Sequence, residues 1–212
     1  TKESRMGLEK AKEEVSRAFV REEQMQGRTT KERTVHLCWN PSKNSRLTLN
    51  IDGSVKASTN NAGIGGALRE DKGTWLGGFA YKIPLETPEA IEAKAIVLGM
   101  QWLWERGVRE AEIQSDARKV VEWIQASDNL RGPIQGIIEE ARLWLTKDWK
   151  ISIRAVYREQ NRVADALAGY GAFQSDAWTT FSSRPIISKE AYLQDIARVT
   201  SARRVRETQP VA

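Results

Sequence analysis

Four carboxylates stand at comparable places in this sequence. Asp52 ends the run Leu47-Thr48-Leu49-Asn50-Ile51-Asp52 before Gly53 and Ser54, Glu92 lies near the start of an apolar-faced helical segment, Asp116 comes after the run Glu110 to Gln114, and Asp165 lies in the segment Asn161 to Tyr170. Singly, each has a plain explanation: turn residue, exposed helix acid, N-cap, surface helix acid. Brought together they would repel strongly unless a divalent cation held them. Ligation by oxygen alone suits Mg²⁺ or Mn²⁺ and not zinc. The chain has one cysteine, Cys38, and one histidine, His36. That excludes an internal disulfide and a closed thiolate zinc site, and leaves His36 as the sole imidazole on which a nucleophilic triad could be built.

The elements that must carry these groups are set by periodicity. Read as a strand, Leu47 to Ser54 puts Leu47, Leu49 and Ile51 on one face and Thr48, Asn50 and Asp52 on the other, with Asp52 at the strand end. Ala62 to Leu68 and Thr74 to Ile83 read as two more strands, joined by the polar turn Glu70 to Gly73 and hence antiparallel. Gly63, Gly65 and Gly66 have no helix start after them, which rejects a phosphate-cradling loop in favour of a strand closely approached by other backbone. Thr87-Pro88 opens a helix from Glu89 to about Arg106, closed by Gly107. Glu110 to Gln114 is a strand, Ser115-Asp116 caps a helix from Ala117 to Gln125, and Pro133 to Thr146 forms another helix. Trp149 to Tyr157 is a fifth strand and Asn161 to Tyr170 a last helix. The order βββαβααβα predicts an α/β fold, a five-stranded mixed sheet in which three antiparallel strands are succeeded by crossovers, flanked by helices. In such a sheet all four carboxylates lie beside strand ends, where ligands bind.

At 212 residues with a formal net charge of +5, the chain suits one core with extensions. Residues 1–34 carry nine Lys/Arg against seven Asp/Glu, residues 176–212 six against four, and residues 35–175 eighteen against seventeen. The expected organisation is therefore a charged helical or disordered arm over 1–34, a nearly neutral domain over 35–175, and a tail over 176–212 with a weak helix from Lys189 to Val199. No apolar run is long enough for a membrane span and no hydrophobic signal core begins the chain, so an intracellular protein, nuclear or cytoplasmic, without membrane partners is expected.

The segments LNIDGS, AGIGGALREDKGTWLGGFAYKI, IEAKAIVLGMQWLWERGV, IQSDARKVVEWI and YREQNRVADALAGYG resemble, in that order, the type 1 ribonuclease H domain of the kind found in plant retrotransposons and reverse-transcriptase-like proteins. The likeness covers about residues 39–172, and Arg184 to Ile196 is similar to the segment C-terminal to the domain in plant relatives. The resemblance implies a ribonuclease H-like fold and a metal-binding catalytic quartet of Asp52, Glu92, Asp116 and Asp165. It implies two Mg²⁺ ions, with Mn²⁺ as a substitute, and hydrolysis of the RNA strand of an RNA–DNA hybrid, one ion acidifying the attacking water and the other stabilising the leaving 3′ oxygen. Substrate contacts are expected at Gly53, Ser54 and Asn161, where the 2′-OH distinguishes RNA from DNA, with Arg158, Arg162, Arg118 and Lys119 near phosphates. A reverse transcriptase domain in a larger protein is an implied partner. The sequence departs from the family pattern at Ala155, where the family commonly has a histidine in the loop before the last helix. That departure keeps a second reading open, a catalytically weak or inactive module of the same fold that binds nucleic acid or protein.

Overall fold

The computed structural model describes residues 28–126 and 130–210. In chain order its strands and α-helices are β1 (Arg28–Leu37), β2 (Leu47–Lys56), β3 (Asn61–Glu70), β4 (Trp75–Ile83), α1 (Pro88–Glu105), β5 (Glu110–Ser115), α2 (Arg118–Gln125), α3 (Gln135–Leu145), β6 (Lys150–Ala155), α4 (Arg162–Phe173), β7 (Trp178–Phe181), α5 (Lys189–Ile196) and β8 (Ser201–Pro210). The described residues fall into two compact units, one of residues 28–36 with 202–210 and the other Leu37–Ser201. In the first, β1 and β8 pair as a two-stranded sheet, with Arg206 Nε 2.9 Å from Glu32 Oε1. The charged arm expected at the N-terminus lies, up to residue 27, outside the described residues.

The second unit holds one sheet in the order β6-β5-β2-β3-β4-β7. On one side of β2 the strands β3, β4 and β7 run antiparallel in succession, and on the other β5 and β6 run parallel. The sheet therefore has six strands, one more than the sequence predicts. The addition is β7, which pairs with Gly78 to Tyr81 of β4 and stacks Trp178 on Phe79 at 5.0 Å. Four residues are too few for a two-residue period to stand out, so this strand is defined by its partner rather than by its own pattern.

Alternation along β2 decides which helix covers which face. Leu49 and Ile51 are fully buried and point to α1, whose Gly99 comes close enough that a Cβ there would lie 2.6 Å from Ile51 Cδ1. This face, with Ile91, Ile96, Met100 and Leu103 of α1, Ile113 of β5, and Val121 and Ile138 from α2 and α3, forms the main core. Thr48, Asn50 and Asp52 point the other way and are buried too. Over them lies α4, with Val163 and Leu167 packed on Ala67 of β3. Gly63 and Gly65, paired with Ser54 and Asp52, admit the backbone of α4. A Cβ on either would stand 2.2 Å from the nitrogen of Ala172 or Ala168, which is the close approach expected of these glycines.

Residues 176–201 belong to this unit rather than to a separate tail. β7 completes the sheet, Tyr192 Oη donates to Gly73 O at 3.0 Å, and Asp195 of α5 meets Arg69 of β3. Burial, not composition, carries the unit past residue 175. No helix among the described residues is long and apolar enough to cross a membrane.

Candidate metal centre

β2 does not end at Asp52. Its pairing with β3 continues to Lys56, placing Asp52 opposite Gly65 and Gly53 opposite Ile64, so Asp52 lies inside the strand and not at the strand end that the sequence predicts. What ends there is the parallel neighbour. Its register runs Thr48 with Glu112 and Asn50 with Gln114, and one residue beyond the end of β5 the chain reaches Asp116. Asp52 and Asp116 thus project at the C-terminal edge of the parallel strands, where ligands bind in open α/β sheets. Asp52 itself is 4% exposed.

Glu92 arrives from α1. Thr87 caps that helix, its Oγ1 accepting from Ala90 N at 3.3 Å, and Pro88 occupies the first turn. A Cβ on Gly53 would lie 2.8 Å from Ile91 Cγ2 and 3.2 Å from Glu92 N, so the glycine is what lets the helix start come down on β2. In return Gly53 N donates to Glu92 Oε2 at 3.2 Å. One oxygen each from Asp52, Glu92 and Asp116 lies within 4.8 Å of the others.

Asp165 is not in that group. It sits in the first turn of α4, with Arg158 Nη2 3.1 Å from its Oδ1 and nearly half of its side chain exposed, although its charge is felt at both Asp52 and Glu92. Arg158, from the short helical turn Arg158–Gln160 that precedes α4, is thereby the cation at the rim of the acidic group.

The other expected contact residues are distributed unevenly. Asn161 is 1% exposed and donates to Ile51 O and to Asp116 Oδ1, each at 2.9 Å, so its amide is engaged inside the protein. Ser54 is 8% exposed. Arg162 turns into the protein, donating from Nη1 to Gln194 Oε1 at 2.6 Å. Arg118 lies over the Tyr157 ring and Lys119 over Trp123. Ala155 is the last residue of β6, opposite Ser115, and not in the loop where the sequence places it. The polar residues Asn50, Gln114, Arg69 and Asp195 surround the site from within and escape a search for exposed chemistry. Their signal was present in Asn50 and Arg69, polar side chains at positions that strand alternation turns inward.

Burial pushes Asp52 well above the usual carboxylate range, and the nearby charges of Glu92 and Asp116 push it further. Glu92 is raised to about 8, first by burial and then by Asp116, against a smaller downward pull from the Gly53 N–H. Both groups hold protons more tightly folded than unfolded. From Glu92's ordinary 4.5 up to about 8, the unfolded chain has released a proton that the folded chain retains, so metal-free stability falls as pH rises through that window. In EDTA the melting temperature is expected to decline across it, and Mn²⁺ binding near pH 7 is expected to release protons, read by calorimetry in buffers of different ionisation enthalpy. A flat melting profile together with no proton release would mean that the carboxylates are already compensated. Three converging carboxylates, with Asp52 and Glu92 held above their ordinary range, are the oxygen donor set that a hard divalent cation fits.

Comparisons with known proteins agree with this fold. A family model described as reverse transcriptase-like matches residues 50–171, more than half of the chain. An Arabidopsis thaliana protein named as a candidate ribonuclease H protein is 30% identical over 160 residues, 76% of this chain and 26% of its own length. The chain thus spans about a quarter of that relative. Among solved structures, ribonuclease H1 of the archaeon Halobacterium salinarum superposes with a TM-score of 0.55 at 24% identity, covering 59% of this chain and 96% of that one. The N-terminal ribonuclease H domain of a Mycobacterium tuberculosis protein superposes with 0.54 at 22%, covering 60% and 94%. LC11 ribonuclease H1, solved in complex with an RNA/DNA hybrid, superposes with 0.52 at 21%, covering 59% and 96%. At these identities the solved structures speak for the fold.

Proposed function

This chain belongs to the reverse transcriptase-like family, whose match spans Asp52, Glu92, Asp116 and Asp165, and from that membership together with its ribonuclease H-like fold we propose that it is a divalent-metal-dependent endoribonuclease acting on the RNA strand of RNA–DNA hybrids. The observation that carries the proposal is the convergence of Asp52, Glu92 and Asp116 within 4.8 Å on the ligand-binding edge of the sheet. These three residues, with Asp165 at the rim, would hold two Mg²⁺ ions, for which Mn²⁺ can substitute. When bound, the ions supply acidification of the attacking water and charge stabilisation at the leaving 3′ oxygen. Asp52, with an oxygen within 4.8 Å of both Glu92 and Asp116, would be the carboxylate shared in holding the ions. No covalent intermediate is called for.

The chain's own residues then have separable tasks. Gly53 keeps α1 against β2 and fixes Glu92 through its N–H. Asn161 fixes Asp116. The backbone around Gly53 and Ser54, beside Glu92, would meet the 2′-OH that marks RNA. Arg158, with its side chain 72% exposed, is the group to meet a phosphate of the substrate, leaving Asp165 when it does. In a longer parent protein a reverse transcriptase domain would present the hybrid.

A second reading, an inactive binding module, is favoured by the lack of a histidine in Val156 to Asn161, which link β6 to α4, and by the ion pair that Arg158 makes with Asp165. A gel assay separates the two. Labelled RNA–DNA, RNA–RNA and DNA–DNA duplexes are incubated with the protein in Mg²⁺ and in EDTA. The proposal expects cutting of the RNA in the hybrid alone, and only with metal. Retention of the hybrid without cutting in either Mg²⁺ or Mn²⁺ establishes the binding module instead.

A further inference from the structure

Behind Asp116 a series of buried polar side chains runs across the sheet to the last helix. Arg69 Nη1 donates to Asp195 Oδ2 at 2.8 Å and Arg69 Nη2 to Asn50 Oδ1 at 2.7 Å. Trp39 Nε1 donates to the same Asn50 oxygen at 2.8 Å, with the Arg69 guanidinium lying 3.8 Å from the centre of the Trp39 ring. Asn50 Nδ2 donates to Gln114 Oε1 at 3.1 Å and to Asn161 Oδ1 at 3.2 Å. Asn161 Nδ2 donates onward to Asp116 Oδ1 at 2.9 Å. The side chains of Arg69 and Asp195 are 0% exposed, and Asn50 and Asn161 are buried as completely.

The polarity of this series is fixed from both ends, by Arg69 and Trp39 at one and by the Ile51 carbonyl and the Asp116 carboxylate at the other. A side-chain amide can be turned end for end, but guanidinium and indole N–H groups only donate. The Asn50 atom between Arg69 and Trp39 must therefore be its oxygen, and its NH₂ must face Asn161. The Asn161 atom facing that NH₂ must in turn be oxygen, which directs the Asn161 NH₂ to the Asp116 carboxylate. Gln114 Oε1 and Ile51 O also accept from the amides of Asn50 and Asn161, so without the anchor at Arg69 the series keeps its polarity, but Asn50 Oδ1 is left with Trp39 as its one donor and Asn161 is held less firmly against Asp116. The ion pair that holds the anchor is a poor source of stability in itself, since buried pairs are often matched by apolar residues of like volume.

We propose that Asp195, on a helix beyond the residues 50–171 that the family model matches, is a positioning residue for Asp116, acting through Arg69, Asn50 and Asn161. The inference rests on the reading of Asp116 as a metal-binding group. α5 is then part of the site's support, fixing the rotation of one carboxylate before a cation arrives. Loss of the partners that orient metal-binding residues typically weakens metal affinity about 10–100-fold.

The test uses the full chain and two variants, R69M/D195L, which removes both buried charges at once, and Asp195→Asn, which keeps the shape of the site. Two quantities are read: the Mn²⁺ dissociation constant by calorimetry, and the exchange rate of the Asn161 side-chain amide protons by NMR. Both variants are expected to bind Mn²⁺ about tenfold more weakly or worse and to exchange those protons faster. Asn161→Ala is expected to lose affinity similarly, and adding it to R69M/D195L to lose little more, since members of one network are not additive. A folded R69M/D195L with the parent's Mn²⁺ affinity and amide protection overturns the proposal, because the ion pair then only fastens α5. If the pair variant does not fold, Asp195→Asn decides by the same two readings. Should the unaltered chain bind no Mn²⁺, the metal reading fails by itself, and the amide exchange alone tells whether Asp195 positions Asn161.

Discussion

Asp52→Asn is expected to lower metal-dependent cleavage of an RNA–DNA hybrid by at least about 10³-fold, while its melting temperature in metal-free buffer stays level or rises. The two halves have one cause. Asp52 is buried and faces Glu92 and Asp116, which together hold its carboxyl well above its ordinary range. Exchanging it for a neutral group of the same shape removes an anionic oxygen that a cation needs and relieves the repulsion that its charge imposes on Glu92 and Asp116. Initial rates on labelled hybrid and a thermal melt in EDTA check both halves. A clear fall in melting temperature would mark Asp52 as a support of the fold, and undiminished cleavage would remove it from the chemistry.

The second large effect is on the fold itself. Gly65→Ala is expected to destabilise the domain by about 3 kcal/mol, which for a chain of this size lowers the melting temperature by about 6–12 °C. A Cβ there would stand 2.2 Å from Ala168 N and 2.5 Å from Leu167 C. These are backbone atoms of α4, which cannot give way as a flexible side chain does. Moving the helix outward would also carry Asn161 and Asp165 away from β2, so cleavage should fall with stability. Gly136→Ala is the control. Nothing lies within 4 Å of its added Cβ, and in the first turn of α3 alanine should raise stability by a few tenths of a kcal/mol to about 1. Equal melting temperatures for Gly65→Ala and the parent would show that α4 is not seated on β3 as described.

Periodicity and turn signals recovered most of the architecture, because β2 alternates apolar with polar side chains and the long helices carry apolar faces, although β2 and β3 are buried on both sides. The glycines of β3 were recognisable as points of close approach because no helix start comes after them. Other features left no such trace. β7 has four residues and draws its definition from β4. The strand nature of β1 and β8 is hidden by charge, since neither SARRVRETQP nor RTTKERTVHL alternates apolar with polar side chains over its length. Asp52 reads as the end of its strand because Asp-Gly favours turns, whereas the pairing of Gly53 with Ile64 overrides local preference. The network from Asp195 to Asp116 joins residues 79 positions apart in the chain, and no local pattern encodes such a distance. Asp195 in particular looks like one more surface acid of a polar helix, and only the position of Arg69 opposite shows otherwise.

Anomalous scattering from crystals of this protein soaked in Mn²⁺ tests the central claim most directly. A peak is predicted within coordination distance of carboxylate oxygens of Asp52, Glu92 and Asp116, lost on soaking in EDTA. Diffraction of good quality with no peak among these three carboxylates at millimolar Mn²⁺ would contradict the assignment of the cluster as a divalent-metal centre.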